Sequence, residues 1–181
     1  MKTLELPQSW RDRALILAGD DIDEGWLTAE ELRTAERFHL EKRRIEWKAS
    51  RIAARQLAMQ RGEATPAFVS FSHSRPYAGA AIDEVPIGID VQTVRPIRDA
   101  ALHLFLTERE AGAVHACGLP DAVIHFWSAK EAEWKRQGGA IETLKRVPLH
   151  LQAIVENGLR FDGVDTVRIG DVVVALTRRT S

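Results

Sequence analysis

Apolar positions along the chain switch between two periods. A short apolar run at 14–17 has the length of a buried strand and is followed by an acidic loop at 20–24. Thr28 then opens a helix, because Thr28 and Glu31 have capping-box spacing and Leu32, Ala35 and Phe38 follow at helical intervals. A longer helix is predicted from about 41 to 60, where Ile45, Ala49, Ile52, Ala53, Leu57 and Ala58 share one face, and Gly62 and Pro66 end it. The period then changes. Residues 68–72, 77–82 and 87–91 read as three short strands separated by turn signals. From about 98 to 117 the pattern is helical again, with Leu102, Leu104, Phe105, Ala111 and Val114 as candidate core. Another helix covers roughly 120–137 and stops at Gly138-Gly139, and the tail holds three strand-like runs at 150–155, 159–162 and 171–176.

The order helix, then antiparallel strands, therefore occurs twice. This predicts an α+β fold of two small lobes, 1–93 and 94–181, each a helix packed on a small antiparallel sheet, with a cleft between them where a ligand would sit.

Composition narrows the function classes. The chain has 181 residues with 25 basic and 26 acidic side chains, a formal net charge of −1. A general nucleic-acid binder would carry a basic excess, so no nucleic-acid partner is expected and any functional positive charge must be local. The single cysteine, Cys117, excludes a disulfide within the chain and a multi-cysteine zinc site. No apolar run approaches the roughly 18 residues of a membrane span. The four-residue apolar stretch near the start is too short for a signal peptide, so a cytoplasmic protein is expected.

Four groups of residues could carry chemistry, each with a plain structural alternative. Asp90 interrupts an apolar run, Gly88-Ile89-Asp90-Val91, where it either caps a strand end or serves as a cation ligand on a rigid strand; an unpaired buried carboxylate would be costly. Trp127, Glu131 and Lys135 fall at i, i+4 and i+8, on one helix face. A Glu–Lys pair at that spacing is either a solvated surface pair or part of a site. His73 lies among hydroxyls in Ser72-His73-Ser74 and is either a satisfied structural histidine or a phosphate donor. The basic run Lys42-Arg43-Arg44, with Lys48, Arg51 and Arg55, is either a solvated face or a surface for a small polyanion.

Taken in this order, Ser72-His73-Ser74, Pro86-Ile87-Gly88-Ile89-Asp90 and Trp127-Ser128-Ala129-Lys130-Glu131 with Lys135 closely resemble the 4′-phosphopantetheinyl transferase superfamily. The resemblance spans roughly 27–145 and includes Ala49-Ser50-Arg51, similar to the Ala-Gly-Arg of that family's long helix. The chain's length resembles the surfactin-synthetase type, monomers with two pseudo-symmetric lobes and the active site between them. The resemblance implies a Mg²⁺-dependent enzyme that moves the phosphopantetheine arm of coenzyme A onto a serine of an apo carrier protein. It assigns Asp90 and Glu131 to the metal, with Gln92 where many members carry a second acid. Glu131 becomes the base, Lys135 a pyrophosphate contact and Lys130 a neighbour that positions the base or its substrates. His73 and Ser72 would bind the coenzyme's 3′-phosphate, and Arg51 and one of Lys42 to Arg44 other phosphates. Two departures, the neutral Gln92 and the lack of a lysine in Gly62-Glu63-Ala64-Thr65-Pro66, leave open a relative with lost or altered activity that acts by binding.

Overall fold

The computed structural model describes residues 2–19 and 22–179, so Asp20 and Asp21 of the expected acidic loop lie outside the described residues. The chain is mixed α+β and forms two compact units, residues 1–85 and 86–181, each with its own antiparallel sheet.

The first unit holds β1 (Lys2–Thr3), β2 (Ala14–Ala18), α1 (Ala29–Glu36), α2 (Glu41–Arg61), β3 (Phe68–Ser74) and β4 (Tyr77–Asp83), with sheet order β1-β2-β4-β3. The capping box starts α1 as expected: the Thr28 side chain accepts from the Glu31 N–H while Glu31 accepts from the Thr28 N–H at 2.9 Å. Helix α2 ends on Gly62, whose φ of 69° is left-handed and cheapest for glycine. The apolar stripe of α2, Ile52, Ala53 and Leu57, is buried on Leu15, Leu17, Ala80 and Ile82 of the central strands.

The second unit holds β5 (Ile89–Thr93), α3 (Glu108–Ala116), α4 (Ala122–Arg136), β6 (Leu151–Val155), β7 (Gly158–Phe161), β8 (Val164–Ile169) and β9 (Val172–Thr177). Its sheet order is β5-β9-β8-β7-β6, and α4 packs on β9, β5 and β8. Phe126 of α4 meets Phe161 of β7 edge-on at 4.8 Å in a core completed by Phe105, Leu106, Leu159 and Val164.

Three expectations need correction. The boundary falls at 85/86 rather than after 93, because β5 pairs with β9, Asp90 opposite Ala175, instead of with β3 and β4. The helical stretch at 98–117 divides into a 3₁₀ turn, Asp99–Leu104, and α3, because Thr107 and Glu110 form a second capping box that starts a new helix. The tail has four strands, not three: β8 reads Val-Asp-Thr-Val-Arg-Ile, and its charged positions obscure a strand whose Val164 and Thr166 are buried. Among the described residues no helix is long and apolar enough to cross a membrane.

Candidate active site

Glycine at position 88 decides where α4 lies. A Cβ there would sit 1.8 Å from the Ala132 carbonyl oxygen and 2.9 Å from the Arg136 nitrogen, so the helix backbone rests directly on the entry to β5. The Gly88 N–H donates to the Thr177 hydroxyl at 2.9 Å, and the Thr177 N–H donates to the Gly88 carbonyl at 3.0 Å. The strand is thus pinned on one side by β9 and covered on the other by α4. In the sequence this contact is signalled only by a glycine inside a β-branched run, which often marks a close backbone approach.

That approach sets three expected residues side by side. Asp90 is buried, and its Oδ1 accepts from Lys135 Nζ at 2.8 Å; the same ammonium donates to the Ile89 carbonyl at 3.0 Å. Glu131, one helical turn before Lys135, is half-buried. Burial, and then the negative charge of Asp90, push its carboxyl above the ordinary value, with the Lys135 charge opposing. Two carboxylates therefore feel each other across a site that also holds an ammonium. Among the described residues no group of three or more His, Cys, Asp or Glu is placed to hold a metal, so a cation here would have to take other ligands as well. Hard oxygen donors in small number fit Mg²⁺, which usually keeps several waters and substrate phosphate oxygens.

Gln92 is partly exposed and lines an apolar groove of about 510 Å³ with Ile97, Leu104, Phe105, Ile124 and Trp127. Trp127 forms the groove wall and packs edge-on against Phe105 at 4.7 Å. Lys130 is placed differently from the expectation. Its side chain is fully buried, and its ammonium donates to Glu110, Val147 and Leu144, so it can position the neighbouring Glu131 only through the packing of α4. Burial lowers its proton affinity, and Glu110 opposes that shift.

The first unit gathers a second set. His73 Nε2 lies 2.8 Å from Arg43 Nη1; a guanidinium has no acceptor, so the ring nitrogen accepts and Arg43 donates. Glu46, buried on the same helix, lies 3.3 Å from Arg43 and 3.7 Å from His73. Strand alternation puts the Ser72 side chain on the opposite face of β3 from His73, so the two side chains do not converge as the motif implied. Arg51 is held between two rings, 4.5 Å from Trp47 and 3.8 Å from Phe71. Burial lowers the guanidinium's proton affinity, with the Glu31 charge opposing. Of the remaining basic run, Lys48 pairs with Glu24, Arg55 with Glu31 and Lys42 with Glu46, and Arg44 donates to the Phe38 carbonyl.

An acid–lysine–acid arrangement on a strand and a facing helix is suited to handling a charged phosphate ester. A family model, the 4′-phosphopantetheinyl transferase superfamily, matches residues 86–172. A domain of that superfamily is therefore present, beginning where the second unit begins and containing Asp90, Glu131 and Lys135. The superfamily points to a transferase. No curated protein matches the chain.

Proposed function

We propose that the protein transfers the 4′-phosphopantetheine arm of coenzyme A to a serine of an apo carrier protein, as a two-lobed enzyme of the surfactin-synthetase type. The observation that carries this reading is the Asp90–Lys135 contact beside Glu131, inside the matched domain. Lys135 holds a phosphate oxygen of the coenzyme's pyrophosphate while Asp90 fixes the ammonium. Glu131, or a water it holds, takes the proton from the carrier serine. The serine oxygen forms a bond to the β-phosphorus as the bond to the bridging oxygen breaks, and 3′,5′-ADP leaves. Asp90 and Glu131 would hold Mg²⁺, which when bound would neutralise charge on the pyrophosphate.

The apolar groove supports the carrier as partner. It opens beside Gln92 and Trp127, carries the exposed Leu104 and Arg95, and suits the apolar face of an acidic amphipathic helix. The test is incubation of purified apo carriers of fatty-acid, polyketide and peptide type with coenzyme A and Mg²⁺. A mass gain equal to the phosphopantetheine arm on at least one of them is expected. No gain on any carrier, with coenzyme A still bound, would favour the relative that binds without transferring, the reading to which the neutral Gln92 points.

Arg43 and His73 form the proposed 3′-phosphate site. His73→Ala should weaken coenzyme A binding by about 1.5–3 kcal/mol, the range for a hydrogen bond to a charged group. Binding of 3′-dephospho-coenzyme A should change little by calorimetry. Equal losses for both ligands would make His73 a structural residue.

A further inference from the structure

Glu110 has no part in the site described so far, yet its carboxylate is buried and fully engaged. One oxygen accepts from the Thr107 N–H at 2.8 Å and from the Thr107 hydroxyl at 2.9 Å, closing the capping box that starts α3. The other accepts from Lys130 Nζ at 2.8 Å. The ammonium also donates to the Val147 carbonyl at 2.8 Å and the Leu144 carbonyl at 3.2 Å. An ammonium has three donors, and all three are matched. One buried ion pair therefore joins α4, the first turn of α3 and the segment at 144–147.

A buried ion pair is a poor device for stability alone, since apolar residues of similar volume often do as well or better. What it supplies beyond an apolar pair is direction. Lys130 immediately precedes Glu131, and neighbours on a helix point about 100° apart, so one rotation angle of α4 sets both side chains. A turn of about 10° moves the rim of a helix 10–12 Å across by about 1 Å, and such a displacement at a reacting group can cost about a hundredfold in rate.

We propose that Glu110 and Lys130 are a positioning pair that fixes the rotation of α4, and so holds Glu131 and Lys135 against Asp90. This rests on the transferase reading above. The pair does not touch substrate.

The test compares the wild type with Glu110→Gln, Lys130→Met and the double variant, by melting temperature and by kcat and KM for coenzyme A. Glutamine keeps the capping-box acceptor, and removing both charges together leaves no lone buried ion, so the double variant is expected to fold and carries the test if Lys130→Met does not. If the pair positions α4, kcat in the folded double variant falls about tenfold or more, and KM for coenzyme A, which Lys135 contacts, rises by a smaller factor. Glu110→Gln should show the same split to a smaller degree. Wild-type kcat in either folded variant, whatever its melting temperature, overturns the proposal. An inactive wild type would instead sink the transferase reading, so the two failures are distinct.

Discussion

Replacing Asp90 or Glu131 with alanine is expected to lower carrier modification by about a hundredfold or more at saturating coenzyme A and Mg²⁺, the scale of losing a charged group that acts in the transition state. The two losses have different origins. Asp90 holds Lys135 at 2.8 Å, so its removal frees the ammonium from one of its anchors as well as taking a carboxylate from the proposed cation site. Glu131 keeps its neighbours, but its loss removes the proposed base. Burial and the Asp90 charge raise its proton affinity, with the Lys135 charge opposing. Single-turnover transfer measured by carrier mass reports both. A folded Asp90→Ala or Glu131→Ala protein with near-normal kcat would remove that residue from the site.

Gly88→Ala is expected to be nearly as damaging, although it adds only one methyl group. That carbon would lie 1.8 Å from the Ala132 carbonyl oxygen, and backbone on both sides leaves no rotamer to adjust. Strand and helix must separate, at a cost of about 1–3 kcal/mol or more for overpacking. The separation falls within one turn of Glu131 and Lys135, so the melting temperature and kcat should drop together. Gly112→Ala is the control. It lies inside α3 with nothing within 4 Å of a new Cβ, and should stabilise by about 0.5–1 kcal/mol with activity intact. A Gly88→Ala enzyme with wild-type melting temperature and kcat would show that the close approach of α4 to β5 does not shape the site.

Local chemistry made much of this protein legible. Thr28 and Glu31 announce α1, the apolar stripe of α2 predicts its span to within a residue of Arg61, and the i, i+4, i+8 spacing puts Trp127, Glu131 and Lys135 on one face. Each of these depends on residues a few positions apart, which is the range over which helical periodicity and capping act. The strand 164–169 is hidden in the sequence because Asp165 and the exposed Arg168 interrupt its apolar pattern, and they pair with Arg160 and Asp121.

Partners distant in sequence had to come from the tertiary structure. Residues 87–91 read as the third of three consecutive strands, but Ile89 pairs with Leu176, so strand pairing moves β5 and Asp90 into the second unit. The motif placed Lys130 beside the base, whereas packing turned its ammonium toward Glu110 and the carbonyls at 144 and 147. It also grouped Ser72 with His73, which strand alternation puts on opposite faces. By itself the sequence determined which residue types were available, on which elements, and on which face of each helix. Which strands share a sheet, how far α4 is turned, and that Asp90 meets Lys135 were decided only by tertiary packing, because those contacts join segments separated by tens of residues and depend on how closely two backbones can approach at Gly88.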